Sequence, residues 1–136
     1  MATESPMLCH TQCTASANLS PTASLAGWNG SGQYLCMMMS GARTVTVASA
    51  NTSLVCGILQ NDPLSGQAAN VGFMGVSKAV AGAAITAGAQ LMSDTSGRVI
   101  TQTTAGTNPT MGQAIETAGA AGQIITILIY PGFGLN

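Results

Sequence analysis

The sequence predicts a mostly β, single-domain barrel or sandwich behind an extended N-terminal arm. Three observations lead there. Short apolar runs recur every 8 to 12 positions and are separated by Gly, Pro, Asn, Asp and Ser, the spacing of an all-β chain. No stretch holds an apolar stripe of period 3.6 over ten residues, because glycine interrupts every candidate helix. The length, 136 residues, is that of one domain with room for an independent core.

Residues 1–32 are rich in Ser, Thr, Ala, Asn and Gly, with a break at Ser20-Pro21, and read as an arm or irregular segment. Residues 33–136 read as the β-rich domain. The run QYLCMMM (33–39) opens the β pattern, and RTVTVAS (43–49) alternates, with Val45 and Val47 on one face and Thr44 and Thr46 on the other. SLVCGILQ (53–60) ends at the turn Asn61-Asp62-Pro63. AANVGFMGVSKAV (68–80) contains Gly72 and Gly75, which suggest a bulge or bend. Shorter strands follow at 83–86, 89–94, 98–104 and 110–116. QIITILIY (123–130) is almost continuously apolar and is expected to be buried on both faces.

One internal echo stands out. CGILQNDPLSGQAANV (56–71) resembles MGQAIETAGAAGQIITI (111–127), with Gly66-Gln67 corresponding to Gly122-Gln123 and one extra residue in the second copy. Two such hairpins could pack as pseudo-symmetric halves of one barrel; chance similarity in a chain dominated by Ala and Gly explains the match as well.

Charge narrows the function. Three Lys and Arg with four Asp and Glu make 5% of the chain, where about 25% is usual. A net charge of −1 gives little repulsion between free monomers, so a surface covered by other subunits is expected. Arg43, Lys78 and Arg98 are too few and too scattered to follow a phosphate backbone, which argues against nucleic acid as a partner. No apolar run is long enough for a helix to span a membrane. MATESPMLCHTQC has neither the basic start nor the apolar run of a secretory signal, so synthesis in a cytoplasm and free thiols are expected.

Chemistry-bearing residues are sparse. Cys9, His10 and Cys13 have loose zinc-like spacing, but no second pair follows and His10 is the sole histidine, so no metal site is assigned. Asp62 and Asp94 sit where turn capping accounts for them. A Cys-His pair would place its base in the arm, and no phosphate-binding loop is present, so neither catalysis nor a cofactor is expected. Candidate interface residues are Trp28 and Tyr34 as aromatic anchors, Met37 and Met39 as adaptable contacts, and Lys78, whose face carries Val76 and Val80. For the methionines, core filling is the competing role.

Taken as an ordered set, GILQNDPLSGQAANV, GVSKAVAGAAITAGAQLMSDTSGRVITQ and MGQAIETAGAAGQIITILI resemble the capsid decoration, or cement, proteins of tailed bacteriophages, over about residues 33–130. The resemblance implies a β-tulip-like structural protein, without catalysis or cofactor, on the outer surface of the virion capsid. It further implies a homotrimer whose partner is the major capsid protein, made in the bacterial host's cytoplasm. The competing class is a surface-displayed adhesin or glycan-binding module, for which an aromatic platform or acidic calcium cluster would be expected and neither is visible.

Overall fold

The computed structural model describes residues 8–21, 30–103 and 108–132, and among these every regular element is a strand. In chain order they are β1 (Leu8–Ala15), β2 (Cys36–Gly41), β3 (Thr44–Val47), β4 (Val55–Leu59), β5 (Ala68–Val80), β6 (Gln90–Ser93), β7 (Val99–Thr101), β8 (Thr110–Ala114) and β9 (Ile124–Gly132). Side chains of residues 8–12 and 131–132 lie outside the description.

Strands β1, β3, β2, β4 and β5 pair in that order, and β1 pairs back onto β5 to close a five-stranded barrel. The second half repeats this plan. The last part of β5 pairs with β9, β9 with β8, β8 with β6 and β6 with β7, and a parallel bridge from Ala81 to Val99 brings β7 back to the end of β5. It matches the parallel pairing of Ala15 with Val45 in the first half. We call the two halves unit 1 and unit 2. Thirteen-residue β5 is the last strand of unit 1 and the first of unit 2, and the hand-over falls at Gly75, just past the Leu8–Met74 pair and at the Gly75–Ile129 pair.

The hydrogen bonds repeat as closely as the strands. Ala15 N–H donates to the Gln67 carbonyl at 2.9 Å, and Ala81 N–H to that of Gln123 at 2.8 Å. Leu19 N–H reaches the Pro63 carbonyl as Ile85 N–H reaches that of Ala118. Tyr34 N–H reaches Leu59 as Gly88 N–H reaches Ala114, and Ala48 N–H reaches Cys36 as Gln102 N–H reaches Gln90. Tyr34 and Gly88 share left-handed backbone, φ 70° and 90°, as do Arg43 and Gly97, φ 57° and 77°. Glycine adopts this region without penalty, whereas Tyr and Arg do so at a cost.

The echo seen in the sequence is the hairpin that ends each unit. Gly57 and Gly112 sit where a Cβ would run into a carbonyl of the partner strand, Gly72 and Leu128 respectively. Gly66 and Gly122 take φ 81° and 87°. The following glutamine bonds back into its turn, Gln67 Oε1 accepting from Leu64 N–H at 2.9 Å and Gln123 Oε1 from Gly119 N–H at 2.6 Å. The hairpins therefore belong to successive units, not to two halves of one barrel.

Packing follows the repeat. Cys13, Ala15, Leu19, Met37, Val45, Leu59, Ala69 and Val71 form the interior of unit 1. Their counterparts, Ala79, Ala81, Ile85, Leu91, Val99, Ala114, Ile125 and Ile127, lie together in the core cluster of unit 2. Each fully buried Val, Leu, Ile or Met among them contributes roughly 1.5–3 kcal/mol, and each Ala less.

Three expectations need correction. The stretch expected to be an irregular arm supplies β1 at residues 8–15, a barrel strand paired with β5 and β3. Its described inward residues, Cys13 and Ala15, are too small to stand out as a strand signal. In β9 one face, Ile125, Ile127 and Ile129, is buried throughout, while the other is buried at Thr126 but 51% exposed at Ile124 and 37% at Leu128. Residues 83–86 contribute only an isolated bridge at Ile85.

Candidate functional site

The joint between the units is where local chemistry becomes unequal. On the outer wall of unit 1, Cys36 in β2, Ala48 after β3 and Ile58 in β4 are fully buried and belong to the core cluster of unit 2. They act as a plug. Cys36 N–H donates to the Gly97 carbonyl at 2.7 Å, its Sγ meets Met111 Sδ at 3.3 Å, and Ser93 Oγ donates to the Ala50 carbonyl at 2.9 Å. A side chain at Gly97 would collide with Val47, so the left-handed glycine also makes room for the plug. The turn beneath is braced by Asp94, which accepts from Ser96 and Arg98 N–H and pairs with the Arg98 guanidinium at 2.8 Å.

Among the described residues, no such plug sits at the equivalent end of unit 1. A cavity of about 500 Å³ opens there, lined by the interior residues Cys13, Val45 and Val71 and rimmed by Met39, Arg43, Cys56 and Phe73. An adjoining apolar groove runs from Met38, Met39 and Leu54 to Pro109, Met111 and Tyr130 of unit 2. Burial pushes the Cys56 thiol up to about 11, with Cys13 adding to the shift, and burial pushes the Cys36 thiol higher still. Both therefore stay protonated near neutral pH and are poor nucleophiles.

The expected interface residues divide. Met37 and Met39 share the inward face of β2, as strand alternation requires, but Met37 is fully buried in the core of unit 1 whereas Met39, two residues further along, stands exposed on the rim of the cavity. Tyr34 is half-buried at the joint, its carbonyl accepting from Val80 N–H at 3.1 Å. The Lys78 ammonium lies 5.9 Å from the Tyr34 ring centroid, a cation–π contact across the joint between the units. Trp28 lies outside the described residues, as do the side chains of Cys9 and His10. Among the described residues, no three His, Cys, Asp or Glu side chains converge as metal ligands would.

Sequence reasoning did not single out Arg43, Cys56 and Phe73 together, since only the fold brings them to one rim. Nor did it single out Ile115, Ile124 and Leu128, which are exposed on the outer face of the last hairpin.

Comparisons with known proteins agree with this architecture. The N base of the head fiber protein gp8.5 of bacteriophage phi29 superposes with a TM-score of 0.66 at 20% identity, covering 94% of this chain and 98% of that one. That likeness concerns the fold. No curated protein matches the sequence. The phage cement protein family matches residues 26–130, most of both units. A charge-poor chain, whose described regular elements are all strands in a closed five-stranded barrel and a second unit of like plan, is matched by this family's model over most of its length: it belongs to the phage cement protein family.

Proposed function

We propose that this protein decorates the outer surface of a phage head and stabilises contacts between major capsid subunits, acting as a homotrimer and without catalysis or cofactor. The observation that carries this reading is family membership over residues 26–130. The surface supports it. A chain with 5% charged residues exposes Met39, Leu54, Leu64, Met74, Ile115, Ile124 and Leu128. Aliphatic groups left in water on so weakly charged a surface suit a protein that works under contact with neighbours.

A protein that binds the mature lattice better than its looser precursor shifts the balance toward the mature form by its differential affinity. Such a mechanism needs a rigid body more than reactive groups. A closed barrel and a second unit of like plan, sharing one continuous strand, provide one. The protein is made in the host cytoplasm and joins the head there.

Cosedimentation with undecorated mature heads, alongside mass measurement in free solution, tests the proposal. Saturable binding at a fixed ratio per capsid subunit, by a protein of three-chain mass, is the expected result. Absence of binding at micromolar protein refutes the capsid role, and a monomeric mass refutes the preassembled trimer.

A further inference from the structure

The two ends of the repeat are not equivalent, and the inequality points to a socket. In unit 2 the positions Ser93, Met111 and Ile129 are 1%, 5% and 3% exposed, because the Cys36, Ala48 and Ile58 plug sits beside them. The same positions in unit 1 are Met39, Cys56 and Phe73, which rim the open cavity, Met39 being 51% exposed. The correspondence is fixed by pairing: Met37 opposes Gly57 as Leu91 opposes Gly112, Met39 opposes Val45 as Ser93 opposes Val99, and Leu59 opposes Val71 as Ala114 opposes Ile127.

We infer that the open mouth of unit 1 is a docking socket for a small-residue, uncharged β-segment of the major capsid protein, seated as the plug is seated in unit 2. The inference rests on the proposed capsid role. The joint inside the chain shows what such a socket accepts: a thiol-sized, a methyl and a branched aliphatic side chain from adjacent strands, with a backbone N–H donated to the turn below.

A second copy is disfavoured as the occupant. Its outer wall in unit 2 carries Gln90, Gln102 and Gln113 where unit 1 has Cys36, Ala48 and Ile58. Two of these amides are engaged within their own unit, Gln113 with the Gly88 carbonyl and Gln102 with that of Asn108. A polar outer face is how terminal members of repeat arrays stop further stacking. Arg43 occupies the rim position held by Gly97 in unit 2, so it offers guanidinium donors to carbonyls of an incoming strand.

The experiment compares Met39→Glu and Phe73→Ser with Ile124→Glu, which alters an exposed aliphatic on unit 2's outer face. Each variant is first shown to keep the wild-type circular dichroism and melting transition, and is then cosedimented with undecorated mature heads. A photoreactive benzophenone side chain at position 39 identifies the neighbour by mass spectrometry. At least tenfold weaker binding by the two rim variants, near-wild-type binding by Ile124→Glu, and a crosslink to the capsid subunit are expected. Undiminished binding by both rim variants, with the wild type bound, overturns the socket and leaves the capsid role standing. A crosslink to a second copy of this chain overturns the choice of occupant. If the wild type itself fails to bind, the capsid role and the socket fall together.

Discussion

Units 1 and 2 share a backbone plan down to individual hydrogen bonds, yet they finish differently. Unit 1 gives its outer wall to unit 2, and unit 2 caps its own outer wall with glutamines; unit 2's mouth is plugged, and among the described residues unit 1's stands open. What is repeated is what the backbone demands: a glycine where two strands crowd, left-handed residues at matching turns, and a side-chain acceptor closing each hairpin. What differs is the set of side chains facing the next unit. Similarity within the chain is therefore concentrated in conformation, and specialisation in surface.

The comparison breaks most severely in the interior. Ile127 is fully buried in unit 2, and an acidic side chain there, even protonated, costs several kcal/mol, comparable to the roughly 5–15 kcal/mol by which such domains are stable. Ile127→Asp is expected to yield no folded protein by circular dichroism. Its counterpart Val71 is also buried, at 2% exposed, but lines the cavity, so a carboxylate there gains water through the mouth. Val71→Asp is expected to fold with a loss of about 3 kcal/mol in denaturant unfolding. Equal collapse of both variants would mean that the mouth of unit 1 is closed to solvent.

Next come the crowded glycines. Gly57→Ala and Gly112→Ala each drive a methyl into a backbone carbonyl, and backbone cannot yield as a flexible side chain can. Each is expected to lose about 3 kcal/mol, with unfolding midpoints displaced alike. A loss confined to one unit would show that the hairpins are alike in pairing but not in closeness of approach.

The turn facing each mouth sharpens the contrast. Gly97 is hemmed in by Val47 and by the carbonyls of Cys36 and Ala48, whereas Arg43 is exposed at the same conformation. Gly97→Arg should therefore lose about 2–3 kcal/mol, from the strained left-handed backbone and the displaced plug together. Arg43→Gly should change stability by less than about 1 kcal/mol, since relief of the left-handed conformation offsets the greater freedom of unfolded glycine. Thermal melting checks both. Comparable losses for the two would contradict an open mouth in unit 1.

How far the sequence reveals this can be judged from particular residues. Strands β2 to β9 are legible because alternation at Val45 and Val47 and turn residues such as Asn61-Asp62-Pro63 act locally. The Gly-Gln echo is legible because glycine at positive φ has few substitutes. The rest of the repeat is hidden: Tyr34 matches Gly88 and Arg43 matches Gly97 in conformation alone. Residues 20–31 are inserted where unit 2 passes directly from Ile85 to Thr86, and the Gly32 N–H to Leu19 carbonyl bond of 2.8 Å closes that insertion. The socket is hidden more deeply, because it is defined by which side chains are left uncovered. Met37 and Met39 are identical in type and the pleat puts both on one face of β2, yet only the one at the mouth of the barrel reaches the surface.

The subtlest contrast lies in the acceptors that close the two hairpins. Asn61 Oδ1 accepts from Asn70 N–H at 2.9 Å, and in the same place Glu116 Oε2 accepts from Thr126 N–H at 2.7 Å. The hydrogen bonds from Thr126 hold the Glu116 carboxyl below its usual pKa of 4.5. A depressed carboxyl stabilises the fold above its unfolded pKa, and that contribution is lost as pH falls through the folded value. Unit 2's closing turn should thus loosen in acid while unit 1's does not. Two-dimensional NMR should show the Thr126 amide shifting with acid titration and the Asn70 amide unmoved. Glu116→Asn keeps an acceptor in place, so its stability at pH 7 should match wild type while the Thr126 shift disappears. If that shift persists in the variant, the acid sensitivity of the turn arises from another carboxyl, and Asn61 and Glu116 are interchangeable acceptors whose difference in charge has no consequence for the fold.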